Sequence, residues 1–166
     1  MTTEYDAARA SITETIQAIH TLNMPTLWFW PNVDAGSDGT SKGLRVFREQ
    51  HQPKHIHFFR NLLPMDFLRL LNQATGIVGN SSAAIRECSF LGTPAVNIGT
   101  RQQGRERGRN VVDVGYDRIE IIGAVERMID GPRPARDTIY GDGAAGSRIA
   151  SLLGRLPLNV EKRLAY

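Results

Sequence analysis

Residues 76–98, GIVGNSSAAIRECSFLGTPAVNI, decide how the rest of the chain is read. Gly76-Ile-Val-Gly79 is a short apolar run between glycines, which reads as a buried strand. Asn80-Ser-Ser82 turns the chain, and a helix is expected from near Ser82 to Leu91, with Gly92 just past its end as a C-cap. Pro94 then opens a second apolar run, Ala95–Ile98. Strand, helix and strand in so few residues form a βαβ unit, which demands a parallel sheet. Toward the C-terminus come an arginine- and glycine-rich loop, the strand Val111–Val114 and a helix carrying Ile121, Ile122, Val125 and Ile129. One more helix is expected around Ser147–Leu153, after a turn at Gly131–Pro134. Toward the N-terminus, Pro64 begins a helix whose apolar face is Phe67, Leu68 and Leu71, and His55–Phe59 is a strand. Leu44–Glu49 reads as a short helix, Pro31–Gly43 as a loop and Thr26–Trp30 as a strand. Ile12, Ile16 and Ile19 form the apolar stripe of a first helix, with Thr2 and Thr3 as its capping residues. About five strands alternating with helices predict one Rossmann-like parallel sheet flanked by helices.

With 166 residues the chain has room for one domain with a real core. It is 41% hydrophobic and 22% charged, a globular balance that excludes disorder as its general state. A net charge of +3 suits a polyanionic small ligand as well as it suits nucleic acid. Cys88 is the single cysteine, so no intrachain disulfide is available. The start, Met1-Thr-Thr-Glu-Tyr-Asp6, has neither a basic nor an apolar leader region, and no apolar run reaches membrane-spanning length. A cytoplasmic protein without membrane contact is expected.

Ligands of open parallel sheets bind where strand-to-helix loops converge. In Gly79–Glu87 the hydroxyls of Ser81 and Ser82 and several amide N–H groups stand at a helix start, a natural seat for a diphosphate. Glu87, five residues on, is placed to accept bonds from both hydroxyls of a ribose. The same pattern also fits plain capping serines and a solvated glutamate. The loop Gly99–Arg109 holds four arginines, Arg101, Arg105, Arg107 and Arg109, on the same side of the sheet. Phosphate contact, a solvated loop and a nucleic-acid patch all fit it, and no interleaved aromatics favour the last. Pro31–Ser37 follows a strand, and Asn32 is its residue best placed to meet a ligand. His51, His55 and His57 lack the cysteine or carboxylate that would complete a metal set, so neither a metal nor a cofactor is expected; His55 and His57 should share one strand face. Trp28 and Trp30 read as core or interface, and Cys88 as a small hydrophobe.

Four ordered motifs carry a resemblance that covers essentially the whole chain. Pro31-Asn-Val-Asp-Ala-Gly-Ser37, Gly79-Asn-Ser-Ser-x-x-x-Arg-Glu87, Gly92-Thr-Pro-x-x-Asn-x-Gly-Thr-Arg-Gln-x-Gly-Arg-Glu106 and Tyr140-Gly-Asp-Gly143 resemble the C-terminal half of hydrolysing UDP-N-acetylglucosamine 2-epimerases. Asn-Ser-Ser is closer to that branch than the Asp-Ser-Gly of non-hydrolysing epimerases. The resemblance implies a GT-B-type enzyme that binds a UDP-sugar between two Rossmann-like domains and supplies N-acetylmannosamine or a relative for sialic-acid-type sugars. It implies that Ser81 and Ser82 hold the diphosphate and Glu87 the ribose, that Arg101 and Asn32 also contact the nucleotide, and that Leu62 meets uracil through its backbone. The whole of residues 1–166 is then one UDP-binding domain. On this resemblance, Met1 takes the place of a His-Pro-Val stretch that ends the family domain's first strand, and the N-terminal domain that moves the protons is expected to lie outside residues 1–166. No catalytic residue is therefore assigned to this chain, which is expected to need an N-terminal epimerase domain as partner. Loss of that first strand should leave unpaired edges near mid-sheet. The other reading is a UDP-sugar binding module or GT-B glycosyltransferase remnant without epimerase activity, and a homo-oligomer remains open.

Overall fold

A computed structural model describes residues 7–32 and 37–157. Thr2 and Thr3, the expected caps of the first helix, lie outside these residues, as do Met1 and residues 33–36 of the loop after the first strand. Among the described residues, six α-helices and five strands follow in the order α1 Ala8–Leu22, β1 Thr26–Phe29, α2 Ser37–His51, β2 Ile56–Phe59, α3 Pro64–Gln73, β3 Ile77–Gly79, α4 Glu87–Leu91, β4 Ala95–Ile98, β5 Val111–Val114, α5 Arg118–Asp130 and α6 Ala145–Leu153. Every strand pair is parallel, as the βαβ reading requires.

The strands do not form one sheet. β1 pairs with β2, Trp28 opposite Phe58, while β3, β4 and β5 form a separate three-stranded sheet in that order. The parallel strands and flanking helices are those of the expected Rossmann-like fold, with the strands divided between two sheets. What joins the two sheets is packing. Ile16 and Ala18 of α1, Leu44 and Phe47 of α2, Ile56 of β2, Val96 and Ile98 of β4, and Ile121 and Val125 of α5 make one buried core. α1 packs between α2 and α5, and Arg118 of α5 grips Glu14 of α1 with Nε 3.0 Å from the carboxylate. Alternation along β3 sends Val78 to that core and Ile77 to a second cluster with Leu71, Ala83 and Cys88, so α3 and α4 cover the opposite face.

Two helices differ from expectation. α2 begins at Ser37 and runs 15 residues through Gly39 and Gly43, where a loop and a short helix are predicted. Gly43 is buried against α1, and a Cβ there would lie 2.7 Å from Cγ2 of Ile12. Close packing of the two helices therefore outweighs the roughly 1 kcal/mol that a helical glycine costs. The helix expected over 82–91 is instead a 3-10 turn, Ser82–Ala84, followed by the five-residue α4. Gly92 closes α4 in the left-handed conformation at φ 67°. His55 precedes β2 rather than sharing a strand face with His57: it stacks on His20 of α1, Nε2 to Nδ1 3.3 Å.

Candidate functional site

The serine loop leaves the carboxyl end of β3, and the arginine loop leaves the carboxyl end of its neighbour β4. Buried Gln102 bridges them, donating from Nε2 to the carbonyl of Asn80 at 2.7 Å. The parallel register thus brings together the two loops that the sequence singles out.

Within the serine loop, Oγ of Ser81 accepts from the amide of Ala83 at 3.3 Å, the capping role foreseen as one of its two readings. The amides of Ala84, Ile85 and Arg86 bond back to the carbonyls of Ser81 and Ser82, which leaves fewer free donors than a regular helix start offers. In place of the long helix start expected here, the chain makes a single tight turn that carries two hydroxyls. The helix breaks at Arg86, where ψ is −72°, and Glu87 starts α4 instead of standing midway along one helix. Oε2 of Glu87 is buried without a hydrogen-bond partner among the described residues. Oδ1 of Asn97 and Oε1 of Gln102 are in the same condition. A buried acceptor left unmet costs about 1–3 kcal/mol, so three of them around two adjoining loops is a concentration of unused hydrogen-bonding capacity.

Beneath the serines lies a polar network that sequence reasoning missed. Asn110 donates from Nδ2 to the carbonyls of Ala84 at 3.1 Å and Thr93 at 2.9 Å, while its Oδ1 is 2.7 Å from the hydroxyl of Ser89. Asn97 donates to Asp113 at 2.6 Å. Burial raises the Asp113 carboxyl, but hydrogen bonds from Arg107 and Asn97, with the Arg107 charge, more than offset this and hold it below the usual carboxylate range. One signal for Asn97 was available: it is a lone polar residue in the otherwise apolar strand Ala95–Ile98.

The four arginines part company. Arg107 is spent on the loop itself, donating to Asp113 at 3.0 Å, to the carbonyl of Gln102 at 2.9 Å and to that of Arg105 at 2.7 Å. Arg101, Arg105 and Arg109 have exposed side chains. Tyr140 of the fourth motif donates its hydroxyl to the carbonyl of Glu106 at 2.9 Å, pinning the tail against this loop.

The remaining expected residues lie elsewhere. Leu62 is half-buried before α3, its N–H held by Oδ1 of Asn61 at 2.9 Å. Asn32 is exposed, two residues past Trp30. Beside it, at the carboxyl ends of β1 and β2, is a cavity of about 570 Å³ lined by Trp30, Pro31, Ser41, Arg45, Arg48 and Arg60. The Arg48 guanidinium lies 5.7 Å from the Trp30 ring centre and 6.0 Å from that of Phe58. This cation-rich hollow was not legible in the sequence, because Arg60 reaches it from another element.

The sequence family described as UDP-N-acetylglucosamine 2-epimerase matches residues 2–154, nearly the whole chain.

The chain belongs to that family.

Among relatives of this chain, the Legionella pneumophila UDP-N,N'-diacetylbacillosamine 2-epimerase (hydrolyzing) is 28% identical over 94% of this chain and 41% of its own length. The Neisseria meningitidis UDP-N-acetylglucosamine 2-epimerase is 33% identical over 68% of this chain and 29% of its own. In three dimensions the chain resembles Methanocaldococcus jannaschii UDP-GlcNAc 2-epimerase with a TM-score of 0.70, 19% identity, and coverage of 91% of this chain and 43% of that one. That likeness shows the fold. The chain spans about two fifths of the length of the Legionella and archaeal proteins, and less of the Neisseria protein. Among its described residues no helix is long and apolar enough to cross a membrane.

Proposed function

We propose that this chain is the nucleotide-binding half of a hydrolysing UDP-N-acetylglucosamine 2-epimerase, active only with an N-terminal half. UDP-N-acetylglucosamine loses its C2 proton and its C1–O bond to UDP, giving 2-acetamidoglucal. Water then adds across the double bond, hydroxyl to C1 and proton to C2, to give N-acetylmannosamine. The observation that carries this reading is the junction of the Ser81–Ser82 loop with the arginine loop, beside a buried Glu87 oxygen that lacks a partner. A nucleoside diphosphate suits the site: its ribose hydroxyls donate to the unmatched Glu87 oxygen, and its phosphate oxygens accept from the serine hydroxyls and the Arg101 guanidinium. Asn32 and the backbone of Leu62 extend the contact to the rest of the nucleotide. No pair of groups in this half is assigned the proton transfers that elimination needs.

The test pairs the chain with a complementary N-terminal domain and follows UDP and N-acetylmannosamine released from UDP-N-acetylglucosamine. Product from the pair and none from either half is expected. UDP bound by the folded pair with no turnover would instead favour a binding module. In calorimetry on the pair, Ser82→Ala should weaken UDP about tenfold and uridine little, since a hydrogen bond to a charged group is worth about 1.5 kcal/mol or more. Glu87→Ala should weaken both alike; unchanged uridine affinity would remove the ribose assignment.

A further inference from the structure

Arg107 and Asp113 lie outside the four motifs that carry the family resemblance, yet both stand where the candidate site is held together. Parallel pairing sets Asn97 of β4 between Gly79 of β3 and Asp113 of β5, in a row across the carboxyl end of the sheet. Paired residues share a face, and the side chains of Asn97 and Asp113 meet there, Nδ2 to Oδ1 at 2.6 Å. A carboxylate at that end of the sheet repels any anion brought to the neighbouring loops. Arg107 neutralises it, with Nε 3.0 Å from Oδ2.

Two further contacts give Arg107 a second task. Its guanidinium donates from Nη2 to the Gln102 carbonyl at 2.9 Å and from Nη1 to the Arg105 carbonyl at 2.7 Å, so one planar group ties the arginine loop to β5. The Glu106 carbonyl accepts from the Tyr140 hydroxyl at 2.9 Å. Loop carbonyls whose partial negative charge opposes an anion are thus met by donors of the protein itself. Gln102 is held twice: its carbonyl by Arg107, and its side-chain amide by the Asn80 carbonyl of the serine loop. At 3% exposure it has no access to water as a substitute partner. All three guanidinium nitrogens of Arg107 are engaged within the protein, which sets it apart from the exposed side chains of Arg101, Arg105 and Arg109.

We propose that Arg107 is a positioning residue of the nucleotide site: it cancels the Asp113 charge and holds Gln102 in place, so that the arginine and serine loops keep their junction. Its effect on binding rests on the reading of that junction as a diphosphate seat, whereas its hold on Gln102 involves no ligand.

Two measurements test this on Arg107→Ala, Arg107→Lys and the double variant Arg107→Ala with Asp113→Asn. The first is hydrogen exchange at the Gln102 side-chain amide, followed by NMR in the 166-residue chain without ligand. Arg107→Ala should speed that exchange at least about tenfold, and Arg107→Lys, which keeps a charge beside Asp113, clearly less. The second is calorimetry of UDP and of uridine on the chain paired with a complementary N-terminal domain. Arg107→Ala should weaken UDP about tenfold and uridine less than about twofold, while Arg107→Lys stays within about threefold of the parent for both. Adding Asp113→Asn to Arg107→Ala should recover about threefold in UDP affinity, because it removes the charge that Arg107 no longer cancels. Weakened UDP with Gln102 still protected would make Arg107 a phosphate ligand and overturn the proposal. Equal losses of UDP and uridine, or no recovery in the double variant, would overturn it as well. If the pair binds no UDP at all, the diphosphate reading fails, and Gln102 exchange alone decides: faster in Arg107→Ala supports the hold, unchanged sinks it. If Arg107→Ala does not fold, the same exchange compared between the double variant and Arg107→Lys decides, equal rates counting against the proposal.

Discussion

Cys88 has no exposed surface and sits against Leu71 and Ala83. Burial first, and then the neighbouring Glu87 charge, push its thiol up to about 12 from an ordinary 9.0. Because the thiolate is the reacting species, ionisation alone should slow native labelling at pH 8 on the order of a thousandfold. A disulfide reagent should therefore titrate no thiol in the native chain and one in denaturant; rapid native labelling would contradict the burial. Its reading as a small hydrophobe was available from the sequence because an apolar helix face is a local pattern. Glu87, one position earlier, was not resolved that way. Ribose acceptor and solvated charge look alike in sequence, and only the packing around α4 shows that one carboxylate oxygen is out of water and unmatched.

Elements show the same division between local and distant causes. Gly92 was legible as a C-cap because the left-handed conformation it adopts strongly favours glycine. A Cβ there would also stand 2.5 Å from the Pro134 carbonyl oxygen, a contact with distant backbone that no local rule foresees. Gly92→Ala should cost about 2–3 kcal/mol in urea unfolding, the sum of a left-handed penalty and a clash. A change below about 0.5 kcal/mol would mean that the turn relaxes freely. α1, α2 and the approach to β2 meet at three imidazoles, His20, His51 and His55. Burial, then the charges of His55 and His51, hold the His20 pKa below its ordinary 6.5. The unfolded chain therefore binds more protons, and stability rises with pH through this window. It is complete above pH 6.5 and falls as pH drops from there toward the lowered native value. Melting temperature measured from pH 7.5 to pH 5 should decline, and His20→Gln should flatten the decline specifically below about pH 6.5. An unchanged profile would show that His20 is not the group responsible.

At the scale of the whole molecule, the chain is held together by α1. Ile16, fully buried, belongs to a core that includes Ile56 of one sheet and Val96 and Ile98 of the other. Ile16→Ala should cost about 2–4 kcal/mol. The loss should also uncouple the halves, so that tryptophan fluorescence, which reports on Trp28 and Trp30, and far-UV circular dichroism give separate transitions. Coincident transitions in the variant would mean that the sheets are joined by more than α1. The sequence by itself determined the strands of the second half, the parallel sense of every pair, the placement of the serine and arginine loops on one side of the sheet, and the motifs of the epimerase family. Each of these rests on patterns within a few turns of chain. Only the tertiary structure decided that the five strands split into two sheets, that α2 extends through two glycines, that Arg107 serves its own loop and that Arg60 joins Arg45 and Arg48 around a cavity. Those outcomes depend on which backbone donor or side chain from a distant segment arrives to take a partner, and pairing at that range is settled by packing rather than by local sequence.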